Sequence, residues 1–584
     1  MLTGNSTTVT LAESDPAISA PASMESTPSP RSFRSALVES RGAAVLASVL
    51  LAIGVLLRLR LYADRRSLWL DEIWVALNIV ERSFLGLLRP LDYAQSAPVG
   101  FLWMERVAVV LGGVNELALR AFPFIAGCLL LVALWSLARR LLDVRYATLC
   151  LAFAALSPIL VYYSNEVKPY IVDALVAVAL TWLALDVLET PDSRRAWRRL
   201  AGGGVIGILL STPAVFVLAG VGVALIAHPA IGRTRAGWMR LIGTGTLWVA
   251  LFAVGYFMIY RGTANSDYMQ TIWSGLFLTL PPRTLAQVAN NASRTMWIET
   301  LFGENDAVLP PKTIVSVMLF SIVGAIVLLR RRGLPVALVV LLPFVATAAA
   351  SFARLWPLTP RLLVCLVPAI LLLFGAGLWA LVSLLPVRAR GIALTLLTAV
   401  YLIPASVYDA GTFRTPKRRD DVGPLVRDFM AGRKEPAVMY VMGHGTPSWL
   451  FYTANWRERD GPAFRFAAAR ASTATHFQTR GCLVQEPGLR VAFGPTGADV
   501  FTDSALAGEA KWLAAQPERE VWVLTLSYEH AAGHVMERQL LAQGAVPVAA
   551  LSRQGAELRR FRFGAASPTD TDASCETPLV APPA

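Results

Sequence analysis

Charge is what this sequence has little of. Only 16% of its 584 residues are Asp, Glu, Lys or Arg, while 55% are hydrophobic. A water-soluble chain of that length needs more charge to cover its surface, so a soluble globular protein is excluded. Cysteine is scarce as well. Cys128, Cys150, Cys365, Cys482 and Cys575 show no metal-ligand spacing, which removes a zinc module. Three of them fall in apolar runs and read as core residues. Cys482 and Cys575 lie in the C-terminal region, where their pairing stays open. His444, one of five histidines, has no partner at ligand spacing and reads as structural. No Gly-rich phosphate loop stands between a strand and a helix, which counts against a nucleotide-bound substrate. An apolar stretch near the start, as a signal peptide would carry, is also missing.

What is present is a series of apolar runs close to the ~20 residues that cross a bilayer. The net charge of +13 would point to nucleic acid in a soluble protein. Here the arginines sit in short segments between apolar runs, which is a topology signal. The expected partner is therefore a lipid bilayer and not a nucleic acid. The sequence predicts a mainly α fold: a polytopic transmembrane helix bundle of about eleven spans, with amphipathic outer-loop helices and a small C-terminal α/β extracytoplasmic domain. Residues 1–42 are rich in Ser, Thr, Pro and Ala and are expected to form a disordered cytoplasmic tail.

Spans are expected at about 43–62, 121–138, 146–163, 170–188, two short arms within 202–228, then 241–260, 312–329, 334–352, 362–385 and 391–409. Arg139-Arg140, Arg194–Arg199, Arg233–Arg240, Arg330–Arg332 and Arg388–Arg390 then share one inner side. Arg58 and Arg60, near the end of the first span, are expected to snorkel to the interface. Segments 72–89 and 96–112 read as amphipathic helices on the outer surface. The transmembrane domain runs over 43–410. Residues 411–565 form the α/β domain, with strand-like runs at 437–442, 489–493, 521–527, 546–551 and 557–563 and a helix at 530–543. An odd span count places that domain outside. Residues 566–584 read as a disordered, Pro-rich tail.

Unusual polar groups gather on the outer side: Asp71, Glu72, Tyr93, Gln95, Glu105, Arg106, Asn115, Glu116, Arg120, Glu166, Lys168, Tyr170, Arg354 and Arg361. Ionisable groups at membrane depth are costly, so those that remain are candidates for function. The adjacent pair Asp71-Glu72 leads them. Neighbours on a helix differ by about 100° in direction, so one acid can face a cavity while the other supports it. Asp71 also suits the N-cap of a helix starting near Glu72, where the dipole favours both acids. Glu166 and Lys168 read equally as an interfacial charge pair, and Arg361 as an interfacial anchor. Trp69, Trp74 and Trp103 fit an interface belt. Arg120 is placed to close the outer loop on the second span.

The segments around these residues have an order. Asp71-Glu72 opens the loop. Tyr93-x-Gln95-Ser96-Ala97-Pro98-x-Gly100-Phe101-Leu102-Trp103 follows, then Gly112-Gly113-x-Asn115-Glu116-x-Ala118-Leu119-Arg120-x-x-Pro123. Ser164-Asn165-Glu166-Val167-Lys168-Pro169-Tyr170 follows the third span, and Pro357-Leu358-Thr359-Pro360-Arg361 precedes a late one. This set resembles the polyprenyl-phosphate-sugar-dependent membrane glycosyltransferases of the class C fold. That superfamily includes protein O-mannosyltransferases and aminoarabinose transferases. The resemblance covers most of residues 45–460, including the Val438–Met442 piece with Pro447 and Phe451-Tyr452. One departure stands out: Ser96-Ala97-Pro98 occupies the place of the Lys-Pro-Pro found in lipid A–modifying members, which weakens a lipid A acceptor.

The resemblance implies an integral membrane glycosyltransferase of the plasma membrane. It would move a hexosyl or pentosyl group from a polyprenyl-phosphate-linked donor to a glycan, lipid or protein acceptor on the extracytoplasmic face. The residue chemistry agrees. A phosphate leaving group needs charge stabilisation, and Arg offers a planar fork for it. Arg361, with Arg354 and Lys168, is the expected donor-phosphate set. A carboxylate orients or deprotonates the acceptor, which assigns catalysis to Asp71 and Glu72. Glu166, Tyr93 and Tyr170 are expected to bind substrate. No metal site is expected, although two carboxylates suit hard cations, which leaves Mg²⁺ or Mn²⁺ open. The rival readings are a transporter or flippase of polyprenyl-linked glycans, and a non-enzymatic scaffold of envelope glycan assembly. A transporter needs ionisable groups near mid-membrane and related halves, and the sequence displays neither.

Overall fold

The computed structural model describes residues 30–264, 266–278, 313–416, 418–433, 436–454, 481–495 and 502–564. The expected tail at 566–584, most of the outer loop after residue 260, and Cys575 lie outside them.

The chain opens with a helix, α1 (Pro30–Ala63), that starts well before the expected span. Residues 30–42, expected to be disordered, continue it without a break. Residues 31–41 hold no Gly or Pro, and extending a helix already nucleated by an apolar span costs little. Two outer helices follow, α2 (Leu70–Glu81) and α3 (Val99–Gly112). Then come α4 (Glu116–Leu141), α5 (Val144–Ala155), α6 (Pro158–Tyr163), α7 (Tyr170–Glu189), α8 (Arg194–Leu210), α9 (Ala214–Ala227) and α10 (Arg235–Gly255). After the gap, α11 (Thr313–Phe352), a 3₁₀ stretch Pro360–Leu366 leading into α12 (Val367–Val382), and α13 (Val387–Arg414) complete the bundle.

Seven described helices are long and apolar enough to cross a membrane, fewer than the eleven expected. Three local breaks account for the difference. The 146–163 segment splits at Leu156-Ser157 into α5 and α6, with Ser157 capping α6. Ser211-Thr212-Pro213 divides 202–228 into α8 and α9, and the apolar arm α9 is only 14 residues long. The 312–329 and 334–352 segments are two helices that meet within α11 at Gly333, whose φ of 80° is not helical, and they count there as one. That left-handed conformation is available to glycine at little cost.

The middle of the bundle is α12, whose apolar window is 83% buried, and α7, at 72%. α11 reaches α12 closely because Gly324 and Gly377 face it: a Cβ on Gly377 would strike the Phe320 carbonyl. Small residues at such crossings let backbones approach. Arg58 corrects the snorkelling expectation. It is fully buried, and its guanidinium donates to Ser164 Oγ at 3.1 Å and to the carbonyls of Gly54 (2.9 Å) and Ala154 (3.2 Å). Nor is α2 a surface helix: nine of its twelve residues are buried.

The C-terminal region is the expected α/β domain, with one strand more than the sequence showed. Its strands are β1 (Ala437–Val441), β2 (Gly481–Glu486), β3 (Leu489–Phe493), β4 (Glu520–Leu526), β5 (Val546–Arg553) and β6 (Ala556–Arg562). They lie in the order β2-β3-β1-β4-β6-β5, with β1 parallel to both β3 and β4. The pleat of β1 feeds two cores. Ala437, Met439 and Val441 face α14 (Val422–Gly432) and α15 (Thr446–Thr453), while Val438, Tyr440 and Met442 face α16 (Asp503–Ala514) and α17 (His530–Ala542). Central strands buried on both faces read as continuous apolar runs, which is how the sequence displayed β1 and β4.

Candidate active site

The domain and the bundle meet at the loop that leads into α2. Ser67 Oγ donates to Asp421 at 2.8 Å and accepts from the Gly423 amide at 3.1 Å. The Leu68 amide donates to the Tyr452 hydroxyl at 2.7 Å, and the Leu70 amide to Asp420 at 3.4 Å. Arg418 bridges Asp64 (3.1 Å) and Asp421 (2.7 Å). The first amides of a helix have no partner within it; here the C-terminal domain supplies one. Trp69 is the N-cap, so Asp71 does not cap the helix as expected but stands inside its first turn.

From that turn the two acids part. Glu72 points into protein and is 0% exposed. Arg120 holds it with two prongs, Nε to Oε1 at 2.9 Å and Nη2 to Oε2 at 2.6 Å. The Val167 amide adds a bond to Oε1 (2.9 Å) and the Trp69 amide one to Oε2 (3.3 Å). Each oxygen thus accepts twice. Burial pushes the Glu72 carboxyl up, and Arg120 more than offsets this, holding it below the usual range. The spare Nη1 of Arg120 ties down the Arg66 carbonyl at 2.6 Å. Arg120 therefore closes the outer loop on α4, as the sequence indicated.

Asp71 faces the other way and keeps some exposure, 15% of its side chain. Lys168 Nζ reaches Oδ1 at 3.0 Å, and Arg361 Nη1 reaches Oδ2 at 3.0 Å. Burial raises this carboxyl, but Lys168 and Arg361 outweigh it, with help from Arg419, and hold it below the ordinary aspartate value. Lys168 also donates to Gln95 Oε1 at 2.8 Å. Arg361 lies over the Trp273 ring, 5.0 Å from its centroid. The loop carrying Gln95 is strained: Tyr93 and Ala94 both have left-handed backbones, at φ 61° and 51°. Such strain persists only where surrounding contacts enforce it.

Glu166 is 1% exposed and joins the site through aromatic donors. Glu166 Oε1 accepts from Trp69 Nε1 at 2.7 Å and from the Tyr162 hydroxyl at 3.2 Å, while Oε2 is buried with no partner among the described residues. Burial first, and Glu72 second, push its carboxyl upward. Arg419, from the linker to the C-terminal domain, lies 4.3 Å from the Trp69 ring centroid and 5.7 Å from that of Tyr162.

Of the expected site residues, Asp71, Lys168 and Arg361 come into direct contact, while the Glu166 side chain is held separately by Trp69 and Tyr162. Tyr170 stacks edge-on against Tyr163 at 5.1 Å, beside Arg361. The buried Tyr93 contributes its carbonyl to Gln95 at 3.3 Å. Arg354 is not brought in. It is exposed, its guanidinium lies 5.6 Å over Phe277, and its carbonyl accepts from Gln270. The donor set does not fit a divalent cation shared by Asp71 and Glu72, because the oxygens of both acids already hold cationic side chains or amides. Among the described residues no three His, Cys, Asp or Glu side chains converge as metal ligands. Gln95 stood among the outer polar groups but was given no role, and Arg419 was not singled out from the sequence; the run Arg418-Arg419-Asp420-Asp421 just after the last span was the available signal for it.

The bundle and its outer helices are similar in fold to the class C membrane glycosyltransferases. Residues 96–257 match the family described as dolichyl-phosphate-mannose-protein mannosyltransferase. Among solved structures, ArnT from Cupriavidus metallidurans in the apo state is similar at a TM-score of 0.50 and 12% identity, covering 90% of this chain and 98% of that one. The same protein bound to undecaprenyl phosphate gives a TM-score of 0.47 at 13% identity, over 88% and 97% of the two chains. The oligosaccharyltransferase AglB from Archaeoglobus fulgidus, in complex with an inhibitory peptide and a dolichol-phosphate, gives 0.46 at 13%, over 88% and 74%. No curated protein sequence matches the chain.

Proposed function

We propose that this protein transfers a sugar from a polyprenyl-phosphate-linked donor to an acceptor on the extracytoplasmic face of the plasma membrane, with inversion at the anomeric carbon. The observation that carries the reading is Asp71 held between Lys168 and Arg361, each at 3.0 Å. Two fixed cations around a partly exposed carboxylate form a site for an anion, and Asp71 stands where a phosphate oxygen would. The match of residues 96–257 to a family named for a dolichyl-phosphate sugar supports that anion being a lipid phosphate.

When the donor phosphate arrives, Lys168 and Arg361 share their charge with it. Asp71 loses part of its stabilisation and becomes more basic. The acceptor hydroxyl attacks the anomeric carbon and the bond from that carbon to the phosphate oxygen breaks. The electron pair leaves with the phosphate, whose negative charge the two cations stabilise. The acceptor proton passes to the Asp71 carboxylate. Glu72, with each oxygen accepting twice, positions the turn and does not meet substrate. Arg354 lies apart from the cluster, so phosphate recognition rests on Arg361 and Lys168. Tyr170 and Glu166 line the sugar side.

Arg139-Arg140 end α4 at the opposite end from Arg120, and Arg332 at the α11 kink donates to the Leu141 carbonyl there, which supports a cytoplasmic N-terminus and an outer C-terminal domain by the positive-inside rule. The polar residues gather at one end of the bundle, which favours the enzyme over a flippase. The test is an in vitro transfer assay with the full chain in lipid nanodiscs and a panel of polyprenyl phosphate sugars, with products identified by mass. Glycosyl transfer from at least one polyprenyl phosphate donor is expected. Consumption of none of them would remove the assignment.

A further inference from the structure

The transfer chemistry uses one end of the bundle, and the other end carries a cavity of its own. Arg120, which holds the Asp71 loop, lies near the start of α4, and Leu141 is the last residue of that helix. At 1.5 Å per residue the two are about 30 Å apart. A cavity of about 340 Å³ lies against Leu141, the size of a site for a small organic group. Leu188 and Glu189 at the end of α7, His228 after α9, and Arg332 and Pro335 on either side of the Gly333 kink border it.

The charges on its wall are split by side. On the α7 side, Arg140 is shared by two carboxylates, Asp186 at 2.8 Å and Glu189 at 2.7 Å. One arginine against two acids leaves a surplus negative charge, and the Glu189 side chain is 50% exposed, within reach of a ligand. On the α11 side stands Arg332, also exposed, with no acidic partner among the described residues. Its Nε donates to the Leu141 carbonyl at 2.7 Å, which fixes the guanidinium and leaves its outer nitrogens for a ligand. The rest of the wall is largely apolar. Ile226, two residues before His228, and Leu329 and Leu334, either side of Arg332, are exposed. Apolar surface of that kind on both flanking helices marks contact with a membrane.

We propose that this cavity binds the headgroup of an aminophospholipid, phosphatidylethanolamine, from the leaflet on the arginine-rich side. The phosphate meets Arg332, whose planar fork suits its oxygens. The ammonium donates to Glu189, which can only accept. Other headgroups lose one of these contacts. A purely anionic one, such as phosphatidylglycerol, leaves the surplus charge of Asp186 and Glu189 without a cation. A choline has no N–H to donate, and the lining holds no Trp, Tyr or Phe to receive a quaternary ammonium. A lipid held here touches the ends of α4, α7 and α9 and the Gly333 kink together, so its binding stabilises the folded bundle. The proposal stands whether or not the chain transfers sugar.

Native mass spectrometry of the full chain tests it, with titrations of dioleoyl phosphatidylethanolamine, phosphatidylglycerol and phosphatidylcholine. One phosphatidylethanolamine should be retained in preference to either of the others. Arg332→Gln and Glu189→Gln should each weaken that retention about tenfold, the loss of one charge-assisted hydrogen bond, with phosphatidylcholine binding unchanged. Glu189→Lys, at an exposed side chain that folding does not depend on, should move the preference to phosphatidylglycerol. Melting temperatures in phosphatidylcholine nanodiscs show that each variant is folded, and added phosphatidylethanolamine should raise that of the wild type alone. Equal retention of the three lipids, or an unchanged preference in both Glu189 variants, overturns the site. Displacement of the lipid by an equal concentration of free phosphoethanolamine overturns a membrane lipid as the occupant.

Discussion

Asp71 and Glu72 are neighbours in sequence and occupy opposite regions of the site. The Glu72 side is closed: one arginine, two amides and no solvent. The Asp71 side is half open, with two cations on separate elements, Lys168 between α6 and α7 and Arg361 ahead of α12. A buried pair whose every lone pair is used can only hold structure. A carboxylate shared by two cations that a ligand anion could claim is poised for exchange. The same residue class thus meets two environments, and the surroundings decide what each acid is free to do.

The largest expected effect breaks the open side. Asp71→Asn should lower transfer by about 10²–10⁴-fold, the range for a lost general base, with expression and melting temperature retained. Because its folded pKa lies below the ordinary value of about 4, the stability Asp71 adds is complete above that value. It is lost as the pH falls through the folded pKa. The acid limb of kcat/KM should follow the same carboxylate and fall below about pH 4; a limb near neutrality would contradict this geometry.

Breaking the closed side should read out as stability. Glu72→Ala leaves Arg120 buried and unpaired, and such losses cost about 3–5 kcal/mol. Thermal unfolding of the Glu72→Ala, Arg120→Ala and double variants should show strong non-additivity, because both singles destroy one interaction. Lys168→Ala or Arg361→Ala comes next. Each removes a charge-assisted bond of about 1.5–3 kcal/mol, which should raise the donor KM about 10–100-fold with little change in melting temperature. The smallest effect belongs to the domain seam. Tyr452→Phe removes the hydroxyl that receives the Leu68 amide and should cost about 1 kcal/mol in unfolding experiments.

Much of this architecture was legible before any coordinates. Apolar length and arginine position identified a multi-pass bundle, and the strand-like runs identified the α/β domain. β2 escaped because Gly481–Glu486 holds an apolar run of only three residues, Cys482–Val484, between Gly and Gln-Glu, and it pairs along one edge with β3. Of the eleven expected spans, seven stand as long apolar helices: Ser157 ends the 146–163 segment early, while the breaks at Ser211–Pro213 and at Gly333 fall where the sequence placed them. Arg58 was misplaced. Its position near the end of a span fits snorkelling, but Gly127 leaves room for Ser164 beside it, and four oxygens from other turns accept its protons. At the site, Asp71, Lys168 and Arg361 could be named from the order of outer motifs. Their contact, the turn of Glu72 away from them, and the arrival of Arg419 from 348 residues down the chain depend on long-range packing that no local pattern encodes.

The central claim is that the Asp71 carboxylate occupies the place of the donor phosphate between Lys168 and Arg361. Equilibrium binding of undecaprenyl phosphate to wild type and Asp71→Asn in nanodiscs tests it most directly. Removing the competing anion should tighten phosphate binding in the variant while transfer is lost. Weaker binding in Asp71→Asn, or transfer at the wild-type rate, would contradict the account.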